Sequence, residues 1–113
     1  MAILKLENSA VVLTLRAVTD TNDLLVEQVR DIIRESRFII FNIKGITFTT
    51  ILIGDIINVL NLFEEHWKDR SHRMMFVQAD PTAKRIFDLT KLSKKIPVYD
   101  SVDDAIGDLP PVL

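Results

Sequence analysis

The sequence predicts a small α/β domain with a mixed sheet of four or five strands and about four helices. Short segments rich in aliphatic and β-branched residues alternate with segments whose apolar residues recur at helical spacing, which is typical of parallel β-α-β units. The turn-forming residues 7–9 separate two apolar segments and indicate an antiparallel hairpin. Residues 38–43 are apolar at odd and even positions alike, and this pattern predicts a central strand covered on both faces.

Composition limits the number of domains and the kinds of partner. The chain has 113 residues, of which 48% are hydrophobic and 27% charged, and these values predict one domain spanning residues 1–113. A net charge of −2 provides no basic surface that could hold nucleic acid or anionic lipid. Because cysteine is absent, a disulfide, a thiolate zinc site and a thiol nucleophile are excluded.

The first residues carry no recognisable targeting signal. Residues 1–8 lack a basic segment followed by an apolar one, and charged residues interrupt every apolar run before it could cross a bilayer. We therefore expect a soluble, cytoplasmic protein that does not insert into a membrane.

The hairpin is predicted over residues 3–6 and 10–16, and an amphipathic helix follows. Residues 19–23 offer several N-caps for that helix, which should end near Glu35. Its core-facing residues recur at helical spacing: Leu25, Val29, Ile32 and Ile33.

A long second helix is predicted to begin at about Thr50, after the central strand and a threonine-rich loop. We expect Asp55 on its outer face, together with the asparagines, while an apolar stripe packs on the sheet. Phe63 and Trp67, at the end of the stripe, could instead dock a partner helix, although a stripe at this spacing is usually core. The predicted stripe is Ile53, Ile56, Ile57, Leu60, Phe63 and Trp67.

The remaining elements are predicted from caps and breaks. Residues 74–77 form a second buried strand, and Asp80 caps a third helix that begins at Pro81. Residues 96–99 are expected at a sheet edge, because proline cannot donate to a ladder. Residues 101–104 resemble a capping box for a last short helix that ends at Gly107.

Three stretches share a recognisable pattern. Residues 38–48 form an apolar strand that ends in a hydrophobic residue, one further residue and Phe48. Residues 80–92 combine a polar cap, a basic residue, an Ile-Phe pair and a Leu-Thr-x-Leu ending. Residues 96–106 form a short strand, a turn and a Ser-x-x-x-Ala-Ile helix. In this order the three stretches resemble the STAS family, whose best-known members are anti-sigma factor antagonists, and they imply its fold.

The loop that would be phosphorylated departs from the family pattern. In the family the strand runs into Asp-Ser-Ser/Ala-Gly, and a partner kinase that is also the anti-sigma factor modifies the first serine. If Phe48 anchors the alignment, Thr50 replaces the aspartate and Ile51 the phosphoacceptor; if Gly54 anchors it, Thr49 and Thr50 take these places. The aspartate is absent in both alignments.

The resemblance implies a regulatory binding domain whose partner is a protein, an anti-sigma factor or serine kinase. A phosphate at a helix N-terminus is stabilised within the domain by free N–H groups and by the positive end of the helix dipole. It nevertheless adds about −1.5 to −2 charges to a docking surface. Thr50 is either a divergent phosphoacceptor or an N-cap alone. The expected partner-binding loop comprises Thr47, Thr49, Thr50, Ile51, Leu52 and Ile53.

Two other functions stay open at this point. STAS-like domains also serve as adaptors of transporter ATPases or within signalling assemblies. A small-ligand-binding or enzymatic domain would have its pocket at the C-terminal ends of the strands, near Gly45 and Ala79. A binding module is favoured over an enzyme, because the chain has no Gly-rich phosphate loop and no Ser-His-Asp grouping, and we predict no catalytic residue, cofactor or metal site.

Other polar side chains have structural interpretations. The two histidines, His66 and His72, are expected to be solvated rather than metal-bound. Carboxylates at predicted helix starts are expected to cap the helices rather than to act as acids or bases; they are Asp20, Asp23, Asp103 and Asp104. A basic cluster near the third helix is either a solvated face or an interaction patch: Lys84, Arg85, Lys91, Lys94 and Lys95.

Overall fold

A computed structural model of the chain describes residues 2–6, 10–15, 24–67 and 73–109. Within these ranges the strands are β1 Ala2–Lys5, β2 Ala10–Thr14, β3 Phe38–Asn42, β4 Arg73–Val77 and β5 Val98–Tyr99. The helices are α1 Leu24–Glu35, α2 Thr50–His66, α3 Pro81–Leu89 and α4 Val102–Gly107, with a 3₁₀ turn at Leu92–Lys94. The predicted order of elements is confirmed. The predicted caps at residues 19–23, with Asp20 and Asp23, lie outside the described residues, as does His72.

The five strands form one mixed sheet in the order β1-β2-β3-β4-β5. β1 is antiparallel to β2, and the other three neighbouring pairs are parallel. β3 lies in the middle, where Ile39 pairs with Val11 on one side and Met74 on the other. The central position of residues 38–43 and the edge position of residues 98–99 are therefore as predicted.

Three helices cover one face of the sheet and one short helix covers the other. α1, α2 and α3 pack with Ile39 and Phe41 of the central strand. Phe38 and Ile40, which point to the opposite face, pack with Ala105 of α4. This two-sided burial explains why β3 is apolar at every position but its last, since both faces of the strand are withdrawn from water.

Two predictions for the long helix α2 are wrong. Ile57, expected in the core, is 39% exposed, and Asp55, expected outside, is only 7% exposed. The buried face is turned by a fraction of a helical turn relative to the predicted stripe, and it comprises Leu52, Asp55, Ile56, Val59, Leu60 and Phe63. A buried carboxylate requires a polar partner, and Asp55 does interact with one.

The predicted caps at the later helices are confirmed. The Asp80 carboxylate accepts a hydrogen bond from the Ala83 N–H at 2.7 Å, with Pro81 at the first helical position. The Ser101 hydroxyl accepts from the Asp104 N–H at 3.1 Å. Asp103 and Asp104 themselves are exposed in the first turn of α4, where a negative charge complements the helix dipole. Among the described helices, none is long and apolar enough to cross a bilayer.

Candidate functional site

The candidate site begins where the chain leaves the sheet at the end of β3. The Ile43 N–H donates to the Val77 carbonyl at 3.1 Å, so the chain stays fixed to β4 until that point. Gly45 then turns the chain at a φ of +74°, a left-handed conformation in which a residue with a Cβ would be strained. The Asn42 side chain supports the turn by accepting a hydrogen bond from the Lys44 N–H at 3.2 Å.

Residues 46–49 alternate between the core and the solvent. Ile46 and Phe48 are buried, whereas Thr47 and Thr49 are exposed. The Phe48 ring is anchored edge-on against the Phe87 ring, with 4.8 Å between the ring centroids. This aromatic anchor holds the loop against α3, so the threonines project from the C-terminal edge of the sheet.

The start of α2 is capped by Thr49. Its backbone is extended, at a φ of −99° and a ψ of 166°, and its hydroxyl accepts a hydrogen bond from the Leu52 N–H at 3.1 Å. The interpretation of Thr50 as the N-cap is therefore wrong by one residue. Thr50 is the first helical residue and is exposed, because the helix begins one position earlier than a cap at Thr50 would require.

The six residues predicted to bind a partner divide into two groups. Four are exposed side chains at the loop and the helix start: Thr47, Thr49, Thr50 and Ile51. Ile53 is half-buried, and Leu52 is only 8% exposed because it packs in the core. Leu52 therefore anchors the start of α2 in the core and offers a partner little surface.

The exposed part of the site extends further along α2 than the sequence predicted. Ile57 and Asn58 follow Thr50 and Ile51 by seven residues, or about two helical turns, and Asn61 follows Ile57 and Asn58 by four and three, so these residues continue one exposed helix face. Between Lys44 and Glu64 the only charged residue is Asp55, which is buried. We call the exposed side chains of this region the uncharged surface: Thr47, Thr49, Thr50, Ile51, Ile57, Asn58 and Asn61.

A second polar cluster, which the sequence did not indicate, ties the last strand to the end of α4. The Tyr99 hydroxyl donates to the Asp108 carboxylate, and Arg73 donates to the Asp108 carbonyl at 2.9 Å. Burial raises the pKa of Tyr99 above its ordinary value, and the hydrogen bond and negative charge of Asp108 raise it further, while Arg73 acts in the opposite direction. The cluster connects β4, β5 and the residue that follows α4.

The remaining candidate residues stay separate from the loop. His66 is exposed at the end of α2, and among the described residues no group of possible metal ligands surrounds it. The five predicted basic residues are all exposed, and Lys84 pairs with Asp100 at 3.6 Å. Phe63 is fully buried, so the end of the apolar stripe belongs to the core. Because the strand order never reverses, the described sheet has no topological switch point of the kind that forms ligand crevices in α/β proteins.

Neither a protein-family model nor a curated protein sequence gives a significant match to the chain. Several solved structures do match the chain. A putative anti-sigma factor antagonist from Thermotoga maritima is similar with a TM-score of 0.74 at 18% identity, covering 93% of this chain and 91% of that one. An anti-sigma factor antagonist from Mycobacterium paratuberculosis is similar with a TM-score of 0.74 at 18% identity, covering 96% and 92%. The Bacillus cell fate determinant SpoIIAA, in its phosphorylated form, is similar with a TM-score of 0.62 at 18% identity, covering 94% and 96%. The chain therefore has the STAS-like fold of anti-sigma factor antagonists, as residues 38–106 predicted.

Proposed function

We propose that this protein is a cytoplasmic regulatory domain of the anti-sigma factor antagonist type, which binds a protein partner through the uncharged surface and is not an enzyme. The partner class we infer is an anti-sigma factor or a related switch kinase. The fold supports this inference at the level of architecture, since the similar solved structures include proteins described as anti-sigma factor antagonists.

The observation that carries the proposal is the uncharged surface itself. Charged residues make up 27% of the chain, yet the exposed residues between Lys44 and Glu64 carry no charge. The centres of protein interfaces are depleted of charge in the same way, because desolvating a charge on binding is costly. Ile51 is 59% exposed and lies beside the threonines, so it provides an apolar anchor for a partner.

The position of Thr50 makes it the candidate for regulation. Its exposed hydroxyl lies at the first helical position, next to N–H groups that have no partner within the helix. A phosphate here would be stabilised by the helix terminus, while its charge would oppose docking of an apolar partner surface. The loop and the first turn of the helix contain no serine, so Thr50 is the divergent acceptor that we propose.

The proposal is tested by capture from a lysate of the source cells, with the retained proteins identified by mass spectrometry. We expect the wild-type protein to retain a protein of the anti-sigma kinase class. Ile51→Asp should weaken that interaction by about tenfold or more, because it places a charge at the centre of the interface. Leu89→Asp is the matched control, since Leu89 is 74% exposed at the far end of α3.

Three results are informative. Equal binding by wild type, Ile51→Asp and Leu89→Asp would contradict the placement of the interface. Retention of a transporter ATPase, sensitive to Ile51→Asp, would instead support an adaptor function on the same surface. Retention of an anti-sigma factor that is lost only in Leu89→Asp would move the interface to the opposite edge of the sheet.

A further inference from the structure

A cavity of about 360 Å³ lies between α1 and α2, near their C-terminal ends. Each helix contributes three lining residues: Arg30, Ile33 and Arg34 from α1, and Leu62, Glu65 and His66 from α2. Ile33 is buried and Leu62 is half-buried, whereas the four polar residues are exposed. The cavity therefore has an apolar base and a polar, charged rim.

The rim carries opposite charges on its two walls. Arg34 is contributed by α1 and Glu65 by α2, and neither forms an ion pair with any described residue. Arg30 differs, because its guanidinium is already bonded to Glu27 at 3.3 Å. The cavity thus presents one available cation and one available anion on facing walls, above an apolar base.

We propose that this cavity binds a small zwitterion of the amino-acid class with an aliphatic side chain. The ligand carboxylate pairs with the Arg34 guanidinium, whose planar fork matches a carboxylate. The ligand ammonium pairs with the Glu65 carboxylate, and the aliphatic part contacts Ile33 and Leu62. The volume lies at the small end of the range for small-molecule sites, which suits a ligand of this size.

This site is separate from the loop and the first turn of α2, where we place partner binding, although Asn61 at the far end of the uncharged surface directly precedes Leu62 of the cavity. Thr50 and His66 are the first and last residues of α2, and a helix of that length places its ends about 24 Å apart. A ligand in the cavity does not contact the proposed partner-binding loop. The two proposals are tested by different variants and readouts, Ile51→Asp with partner capture and Arg34→Gln or Glu65→Gln with ligand titration, so that one can fail without the other.

The chain provides its own reporter for binding. Trp67 is the only tryptophan, and its indole N–H donates to the carbonyl of Ile33, a residue of the cavity base, at 2.6 Å. The ring also lies against His66, with 5.0 Å between the ring centroids. Ligand entry should change the environment of this ring and hence its fluorescence.

The test is a titration with L-leucine, followed by Trp67 fluorescence and by the NMR methyl signals of Ile33 and Leu62. We expect saturable binding with a roughly millimolar Kd, because ion pairs at an open site contribute little. Two analogues separate the charges: 4-methylpentanoate lacks the ammonium group, and 3-methylbutylamine lacks the carboxylate. Each should bind more weakly than leucine.

Variants assign the two charges to residues. Arg34→Gln and Glu65→Gln should each weaken leucine binding by about fivefold, the upper worth of an exposed ion pair. Glu64→Gln and Arg85→Gln are matched controls, since both residues are exposed and neither lines the cavity. Thermal unfolding of each variant verifies that it is folded.

Three outcomes overturn the proposal. The first is the absence of any change in fluorescence and in methyl shifts on adding leucine. The second is equal binding of leucine and 4-methylpentanoate, which would make the site a simple anion site. The third is an equal effect of the Glu64→Gln and Glu65→Gln variants, which would leave Glu65 without a specific part in binding.

Discussion

At the residue scale, Thr49 and Thr50 are adjacent and chemically identical but perform different tasks. The Thr49 hydroxyl bonds the Leu52 N–H and fixes the start of α2. The Thr50 hydroxyl has no such bond among the described residues and faces the solvent. The stability of the helix start and the chemistry of the exposed surface are therefore carried by separate residues.

This division predicts different costs for the two alanine substitutions. Thr49→Ala should lower the free energy of unfolding by about 1 kcal/mol, because the Leu52 N–H loses its acceptor. Thr50→Ala should change it by less than about 0.5 kcal/mol, as expected for an exposed site without a cap bond. Equilibrium unfolding in urea measures both. A larger loss for Thr50→Ala than for Thr49→Ala would contradict the capping geometry.

Tyr99 is the only tyrosine in the chain, so its ionisation can be followed by absorbance without interference from other tyrosines. We expect the pKa to lie above the ordinary value of 10.0, because burial and the Asp108 carboxylate both disfavour the phenolate. Asp108→Asn should lower this pKa, because it removes the negative charge that disfavours the phenolate.

The same shift makes stability depend on pH in a defined direction. Below the unfolded-state pKa, near 10.0, both states carry the phenol proton and the contribution of Tyr99 is complete. As pH rises through the higher folded-state pKa, that contribution is lost, because the unfolded chain releases its proton first. Tyr99→Phe should remove this part of the alkaline loss of stability. An unchanged alkaline slope in Tyr99→Phe would contradict the shift.

At the element scale, the two faces of α2 lie in different environments. The buried face packs on the sheet through residues spaced three and four apart, among them Ile56 and Phe63, which are fully buried. The opposite face, with Ile51 and Ile57, is exposed although it is partly apolar. An apolar residue on the outside of this helix is accordingly a candidate for contact with a partner rather than for the core.

The two faces predict opposite results for two similar truncations. Leu60→Ala should destabilise the fold by about 2–5 kcal/mol, because Leu60 is 4% exposed and its loss leaves a cavity. Ile57→Ala should change stability by less than about 1 kcal/mol, since Ile57 is 39% exposed. Chemical denaturation of both variants checks the pair. Comparable large losses at both positions would show that the helix is turned differently.

At the scale of the whole molecule, the topology determines what a partner can reach. The β3–α2 loop lies at the C-terminal ends of the parallel strands because it directly follows β3, and its threonines, Thr47 and Thr49, are exposed there. A phosphate added to this edge would bring about −1.5 to −2 charges to a surface that otherwise carries none. In the regulation that we propose, the exposed Thr50 hydroxyl is the acceptor of this phosphate.

We expect the protein, incubated with a cognate anti-sigma kinase and ATP, to gain no stoichiometric phosphate at serine and at most slow modification at Thr50. Intact mass spectrometry measures the mass gained, and Thr50→Ala is the control that should abolish it. Thr50→Glu should weaken partner binding by placing a charge in the interface, whereas Thr50→Ala should leave binding largely intact. Equal binding by wild type, Thr50→Glu and Thr50→Ala would remove this loop from the interface.

The sequence by itself determined the elements of this fold and most of their boundaries. The apolar run at residues 38–43 predicted the central strand because a strand covered on both faces has no polar alternation. The caps at Asp80 and Ser101 predicted the last two helices because they satisfy N–H groups that every helix leaves open. These signals are local, and they are therefore readable from neighbouring residues.

The tertiary structure decided which face of α2 is buried and which threonine caps it. Apolar residues occur on more than one side of this helix, so periodicity alone allowed Ile57 inside and Asp55 outside. The packing of α2 against α1 and the sheet selected a stripe that begins at Leu52 and includes Asp55. That rotation exposed Ile51, Ile57 and the asparagines, and it produced the uncharged surface. The local sequence allows more than one rotation of the helix, and long-range packing selects one of them, so only the folded molecule determined which residues of α2 are exposed.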